Sequence, residues 1–134
     1  MYNIEHHVYF AVFGYDTDAL AITLQAGIEA DDIWVKGESY STALPEAVRT
    51  DNRWILSSGL DRDASHSDHF EKLLFKLQRL SHALPTLRET YRCGIGVSQY
   101  FFMDDPSFYL RPDIIERYQQ LGFTISFDQL AIDS

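Results

Sequence analysis

The order strand, acid-bearing loop, helix, glycine, strand occurs twice in this chain, once near each end. The first copy runs from Val8 to Phe13, through Asp16 and Asp18, along a helical stretch closed by Gly27, and into Ile33 to Lys36. The second runs from Ile95 to Phe102, through Asp104 and Asp105, along Pro112 to Leu121 with Gly122 behind it, and into Phe123 to Phe127. Strand and helix signals interleaved in this way call for a sheet with helices packed on it, an α+β fold. They name no reaction.

The elements follow from local signals. Val8 to Phe13 is apolar on both faces, as expected of a central strand. Asp16 or Thr17 is placed to cap the next helix, on which Leu20, Thr23 and Leu24 share a face, and Gly27 supplies the left-handed residue that stops it. From Gly37 to Asn52 there is no clear period, which predicts a long hairpin connection with extended pairing around Glu38 to Ser41, between strands at Ile33 to Lys36 and Arg53 to Ser58. Ser65 and Asp68 form a capping box ahead of an apolar stripe of Phe70, Leu73, Leu74, Leu77, Leu80 and Leu84. Pro85 breaks or restarts this helix, Thr86 to Thr90 connects, and Arg92 to Met103 reads as the longest strand. The last helix places Ile114, Ile115, Tyr118 and Leu121 on one side. The predicted order matches a ferredoxin-like plait (βαββαβ) with an added C-terminal helix and strand, helices mainly on one face of a mixed or antiparallel sheet. A mixed sheet of two strand–helix–strand halves is the competing topology. With no linker or low-complexity segment, residues 1–134 read as a single domain.

Twenty Asp and Glu against eleven Lys and Arg give a formal charge of −9. A surface of that sign repels nucleic acid and anionic lipid and attracts a basic protein partner. Cys93 is the lone cysteine, so no internal disulfide forms, as in a reducing compartment. The first apolar run, Val8 to Phe13, is too short for a signal peptide core or a membrane span, which leaves a cytoplasmic location by elimination.

Clusters with chemical potential are few. His66 and His69 stand one helical turn apart beside Asp68, but two imidazoles make half a tetrahedral zinc shell, so they read as part of an exposed polar helix start and no metal or cofactor is expected. Cys93 opens a strand, where neither a helix N-terminus nor a base activates it. Gly94-Ile-Gly96 enters a strand and lacks the lysine of a phosphate loop, so close backbone packing explains it better. Asp16, Asp18, Asp104 and Asp105 sit where caps and turns use aspartate. Tyr100, Phe101, Phe102, Phe108 and Tyr109 crowd one region, and consecutive strand residues cannot all enter a one-sided core.

The chain resembles a bacterial family of about this length known only as a domain of unknown function, number four-two-seven-nine. The likeness rests on Tyr9 to Gly14, Trp34 to Glu38, Trp54 to Ser58, Phe108 to Pro112 and Leu121 to Asp128. Members tend to carry serine or a similar cap before the proline that opens the last helix, where this chain has Arg111. The resemblance implies no activity and no catalytic residue. By analogy of class alone, small acidic proteins of this kind serve as immunity partners of secreted toxins.

Two functions follow as expectations. The first is a non-enzymatic cytoplasmic protein-binding module of the immunity type, holding a basic partner with Tyr100, Tyr109, Asp104 and Asp105. The alternative is a small enzyme or small-molecule-binding protein with a pocket between sheet and helices, lined by Asp16, Lys36, Glu38 and Asp128. A homodimer through an exposed strand or aromatic face fits either.

Overall fold

The computed structural model describes residues 4–41, 44–61, 63–101 and 109–131. In chain order the elements are β1 (Ile4–Phe13), α1 (Ala19–Ala26), β2 (Asp32–Trp34), β3 (Ser39–Ser41), β4 (Leu44–Val48), β5 (Arg53–Ser57), α2 (His66–Gln78), α3 (Leu84–Thr90), β6 (Arg92–Phe101), α4 (Pro112–Leu121) and β7 (Thr124–Ala131). Five strands form a mixed sheet in the order β2-β5-β1-β6-β7, antiparallel except for the parallel pair of β6 and β7. β3 and β4 pair as a separate ribbon, the extended pairing expected after Glu38.

Strand periodicity and register divide this sheet into two unlike faces. Phe10 stands opposite Leu56 on one side and Ile95 on the other, Val12 opposite Trp54 and Cys93, and Val8 opposite Val97. Side chains two apart share a face, so these residues form one apolar surface. Ile22 and Ala26 of α1, the leucines of α2, Leu84 and Leu87 of α3, and Ile114 and Tyr118 of α4 all pack into the same cluster. All four helices therefore lie over one face of the sheet. The other face carries Tyr9, Ala11 and Ile55, with Phe13 and Trp34 packed against them.

The helices show where sequence signals were obeyed and where packing altered them. Ser65 caps α2 by accepting the Asp68 N–H at 3.1 Å, and Phe70, Leu73, Leu74 and Leu77 are buried as the stripe requires. Thr86 to Thr90 is helix and not a connector: Pro85 sits in the first turn of α3, where its missing N–H costs nothing. Asp18, rather than Asp16 or Thr17, caps α1, accepting from Leu20 N at 3.0 Å. Ile22 and Ala26 of α1 pack toward the sheet and Leu20 and Leu24 are exposed, against the expected face. On α4, Ile114 and Tyr118 are buried while Ile115 faces solvent. Arg111 makes no side-chain cap. Its guanidinium donates instead to Asp113 at 3.2 Å and reaches Glu71 of α2 at 3.5 Å.

Candidate functional site

The residues proposed for a pocket are not gathered at one point. Asp16 is exposed just beyond β1 and lines a cavity of about 610 Å³ between the end of that strand and residues 88–92. Arg88 and Arg92 share the lining with Glu89, so the charges there are mixed. Tyr15 also lines it, and its buried hydroxyl has no hydrogen-bond partner among the described residues. Burial raises the pKa of that phenol, helped by Asp18, Asp51 and Tyr91. Lys36 is held nearby through its backbone: its N–H donates to Asn52 Oδ1 at 2.8 Å, and Asn52 Nδ2 donates to the Tyr15 carbonyl at 2.7 Å. Glu38 is exposed and ties its own carbonyl to Arg49 N at 2.8 Å. Neither Lys36 nor Glu38 lines the cavity. Asp128 pairs in register with Ser98, opposite His7, whereas Asp16 follows Phe13. Some six strand residues separate these levels, about 20 Å at ~3.3 Å per residue.

Of the residues proposed for partner binding, Tyr109 is 75% exposed. Tyr100 pairs in β6 with Glu5 and Leu130 through its backbone, and its side chain, like that of Asp128, lies outside the described side chains. Asp104 and Asp105 lie outside the described residues altogether.

The start of α2 corrects the sequence reading. His66 and His69 are buried, because the Ser65 cap begins the helix where it already lies on the sheet, and the first turn points inward with Phe70 and Leu73. His69 Nδ1 is 2.6 Å from Ser58 Oγ, and Gln99 Nε2 is 3.4 Å from His66 Nε2. A serine against an imidazole is the arrangement of an activated nucleophile. Here Ser58 is 2% and His69 1% exposed, so no substrate reaches the pair and it serves to fasten α2 to the end of β5. A neutral imidazole meets that need, since a buried polar group must be hydrogen-bonded. Cys93 is half-buried with its thiol pushed up to about 11 by burial, against the pull of Arg88. That thiol is protonated and unreactive at neutral pH.

Burial lowers the His69 pKa, with the Asp61 backbone hydrogen bond and Asp68 and Asp63 opposing it. The unfolded chain then takes up a proton where the folded chain does not. Stability is full above the unfolded imidazole value of ~6.5 and is lost as pH falls below it, by at most ~1.4 kcal/mol per pH unit. Replacing His69 by glutamine should flatten the urea-unfolding profile between about pH 6.5 and 5. Equal slopes in both proteins would assign the loss to carboxylates.

Two surfaces remain. On the helix side, α1 exposes Leu20 (59%) and Leu24 (74%) one turn apart, and Ile33 and Val35 are exposed at the β2 edge. Residues 16–38 around them hold six carboxylates against one lysine, five of the nine excess negative charges. On the helix-free side, arginines stack on aromatic rings. Arg49 lies 3.9 Å and Arg53 5.0 Å from the Trp34 ring, and Arg53 and Arg92 lie 5.6 and 5.1 Å from that of Phe13. Between Phe13 and Tyr9 a cavity of about 380 Å³ opens over Gly94 and Gly96. These stackings give no sequence signal, since Arg49 and Arg53 lie 15 or more residues from Trp34 and Arg53 and Arg92 about 40 or more from Phe13, and they meet only in the folded sheet.

These features define an α+β domain with one helix-covered sheet face and one that no helix covers among the described residues, acidic on the side of α1. No helix among the described residues is long and apolar enough to cross a membrane. The chain belongs to the family described as Domain of unknown function (DUF4279), whose model matches residues 4–131. No curated protein and no solved structure matches it.

Proposed function

We propose that this chain is a non-enzymatic binding module of the immunity type that holds a basic protein partner on the surface formed by α1 and the β2 edge. The carrying observation is the exposure of Leu20 and Leu24 inside a rim of Asp16, Asp18, Glu29 and Asp31. Apolar side chains ringed by charge of one sign fit a partner with complementary charge and apolar anchors. Asp31 is partly neutralised by Lys76 at 3.3 Å, and the other acids of the rim supply the field. Tyr109, with Tyr100, Asp104 and Asp105, is a second anchor region in this reading. The scaffold is read as a split plait of β1, α1, β2, β5, α2 and β6, to which α3, α4, β7 and the β3–β4 ribbon are added. The antiparallel order β2-β5-β1-β6 supports that reading.

The test is association kinetics against a partner captured from the source cell, for wild type, Leu24→Asp and Tyr109→Ala. Raised salt should slow association far more than it speeds release, since opposite charges steer encounter and are screened within ~8 Å at physiological salt. Leu24→Asp should shorten the complex lifetime, costing ~2 kcal/mol or more if Leu24 is a central anchor. An acidic partner, a salt-independent association rate, or an unchanged lifetime in Leu24→Asp would refute this surface. A loss with Tyr109→Ala would extend the interface to the second region.

A further inference from the structure

The geometry points to a binding site on the helix-free face of the sheet for a small organic anion with a planar ring, seated over Gly94 between Tyr9, Phe13, Arg53, Thr124 and Ser126. This goes beyond the α1 surface, which belongs to the other layer, and each stands or falls alone.

The two glycines make the first part of the case. Gly94 and Gly96 are two apart on β6, opposite Ala11 and Tyr9 of β1 and Thr124 and Ser126 of β7, so both face the helix-free side. Gly96 has a packing reason: a Cβ there would overlap the Tyr9 ring. Gly94 has none. A Cβ at that position would meet the Thr124 carbonyl at 3.4 Å and the Phe13 ring at 3.8 Å, which is ordinary contact. Glycine weakens a strand interior and often marks close approach of a ligand. At Gly94 it leaves open a floor that packing alone would allow to be filled, and the cavity of about 380 Å³ lies on that floor.

The lining supplies the rest. Phe13 and Tyr9 offer flat apolar walls, and Tyr9, Thr124 and Ser126 bring hydroxyls. No acid lines this cavity among the described side chains. The charged lining residue among the described side chains is Arg53, whose Nε donates to Asp51 at 3.0 Å, a bond that fixes the guanidinium plane. Arginine has five N–H donors in a fixed fork, and that fork fits carboxylate. Arg92 stacks on the same Phe13 ring at 5.1 Å and adds positive charge at one wall. A volume near the small end of the ~300–1,000 Å³ range of ligand pockets suits one or two fused rings.

The probe is 2-naphthoate, compared by isothermal titration calorimetry with 2-naphthylmethylamine, which has the same ring system and opposite charge. Naphthoate should bind saturably at one site, at least tenfold more tightly than the amine. Arg53→Gln should weaken naphthoate binding about tenfold, as expected for loss of a charge-assisted contact. Gly94→Val should abolish it while leaving the circular dichroism spectrum unchanged, because valine suits a strand. If Gly94→Val fails to fold, Thr124→Ala with Ser126→Ala takes its place, with weaker binding expected and wild-type binding overturning the site. No saturable naphthoate binding at millimolar concentration, equal binding of the amine, or wild-type binding by Arg53→Gln or folded Gly94→Val would each overturn the proposal.

Discussion

Replacing Trp54 by alanine is expected to remove ~3–5 kcal/mol of folding stability, the range for deleting a large buried aromatic. Trp54 is fully buried on β5, meets Phe10 edge to face at 6.5 Å, and donates its Nε1–H to Thr23 Oγ1 of α1 at 3.0 Å. Truncation leaves a cavity in the sheet–helix layer and strands the Thr23 hydroxyl against it. Trp54→Phe keeps most of the apolar contact and should lose only ~1–2 kcal/mol, from the hydrogen bond and the smaller ring. Urea unfolding with a common slope measures both. A loss below 1 kcal/mol for Trp54→Ala would mean that α1 is not docked on β5. Domains of this size hold only ~5–15 kcal/mol in total, so the alanine variant should sit close to the unfolding threshold.

Leu77→Ala should cost ~2–5 kcal/mol for a related reason. Leu77 has no exposed surface and closes the inward stripe of α2, one turn beyond Leu73 and Leu74. An exposed neighbour gives the control: Phe75 is 60% exposed on the same helix, and Phe75→Ala should change stability by less than ~0.5 kcal/mol. The contrast between two apolar residues on one helix tests the orientation of α2, and similar losses for both would reject it.

The stripe of α2 was legible because helical period, cap and apolar residues all pointed one way, whereas for α4 the sequence marked the limits, Pro112 and Gly122, and the buried Ile114 and Tyr118 but placed the exposed Ile115 with them. α1 was misread. Its apolar residues are spread around the helix, so the period gave no unique face, and the packing of Ile22 and Ala26 into the core left Leu20 and Leu24 outward. Pro85 was ambiguous for another reason, since proline ends a helix or begins one with equal ease and only the packing of Leu84 and Leu87 selects the second. His66 and His69 were taken for surface residues because polar side chains near a cap are usually solvated. Their hydrogen-bond partners are Ser58, just past the end of β5, and Gln99 of β6, which no local pattern could bring to α2.

What the sequence determined by itself is therefore most of the strands and helices, the Ser65 cap of α2, the glycine stops of α1 and α4, the α+β class and the sign of the net charge, because each rests on composition or on residues within a turn or two of one another. Only the tertiary structure decided which face of α1 is buried, that residues 86–90 are helical, and that the first turn of α2 points inward. It alone brought Arg49, Arg53 and Arg92 to the rings of Trp34 and Phe13. These depend on strand register and on contacts between residues tens of positions apart, whose free energy appears only when the sheet is assembled, and both proposed binding surfaces are made of such contacts.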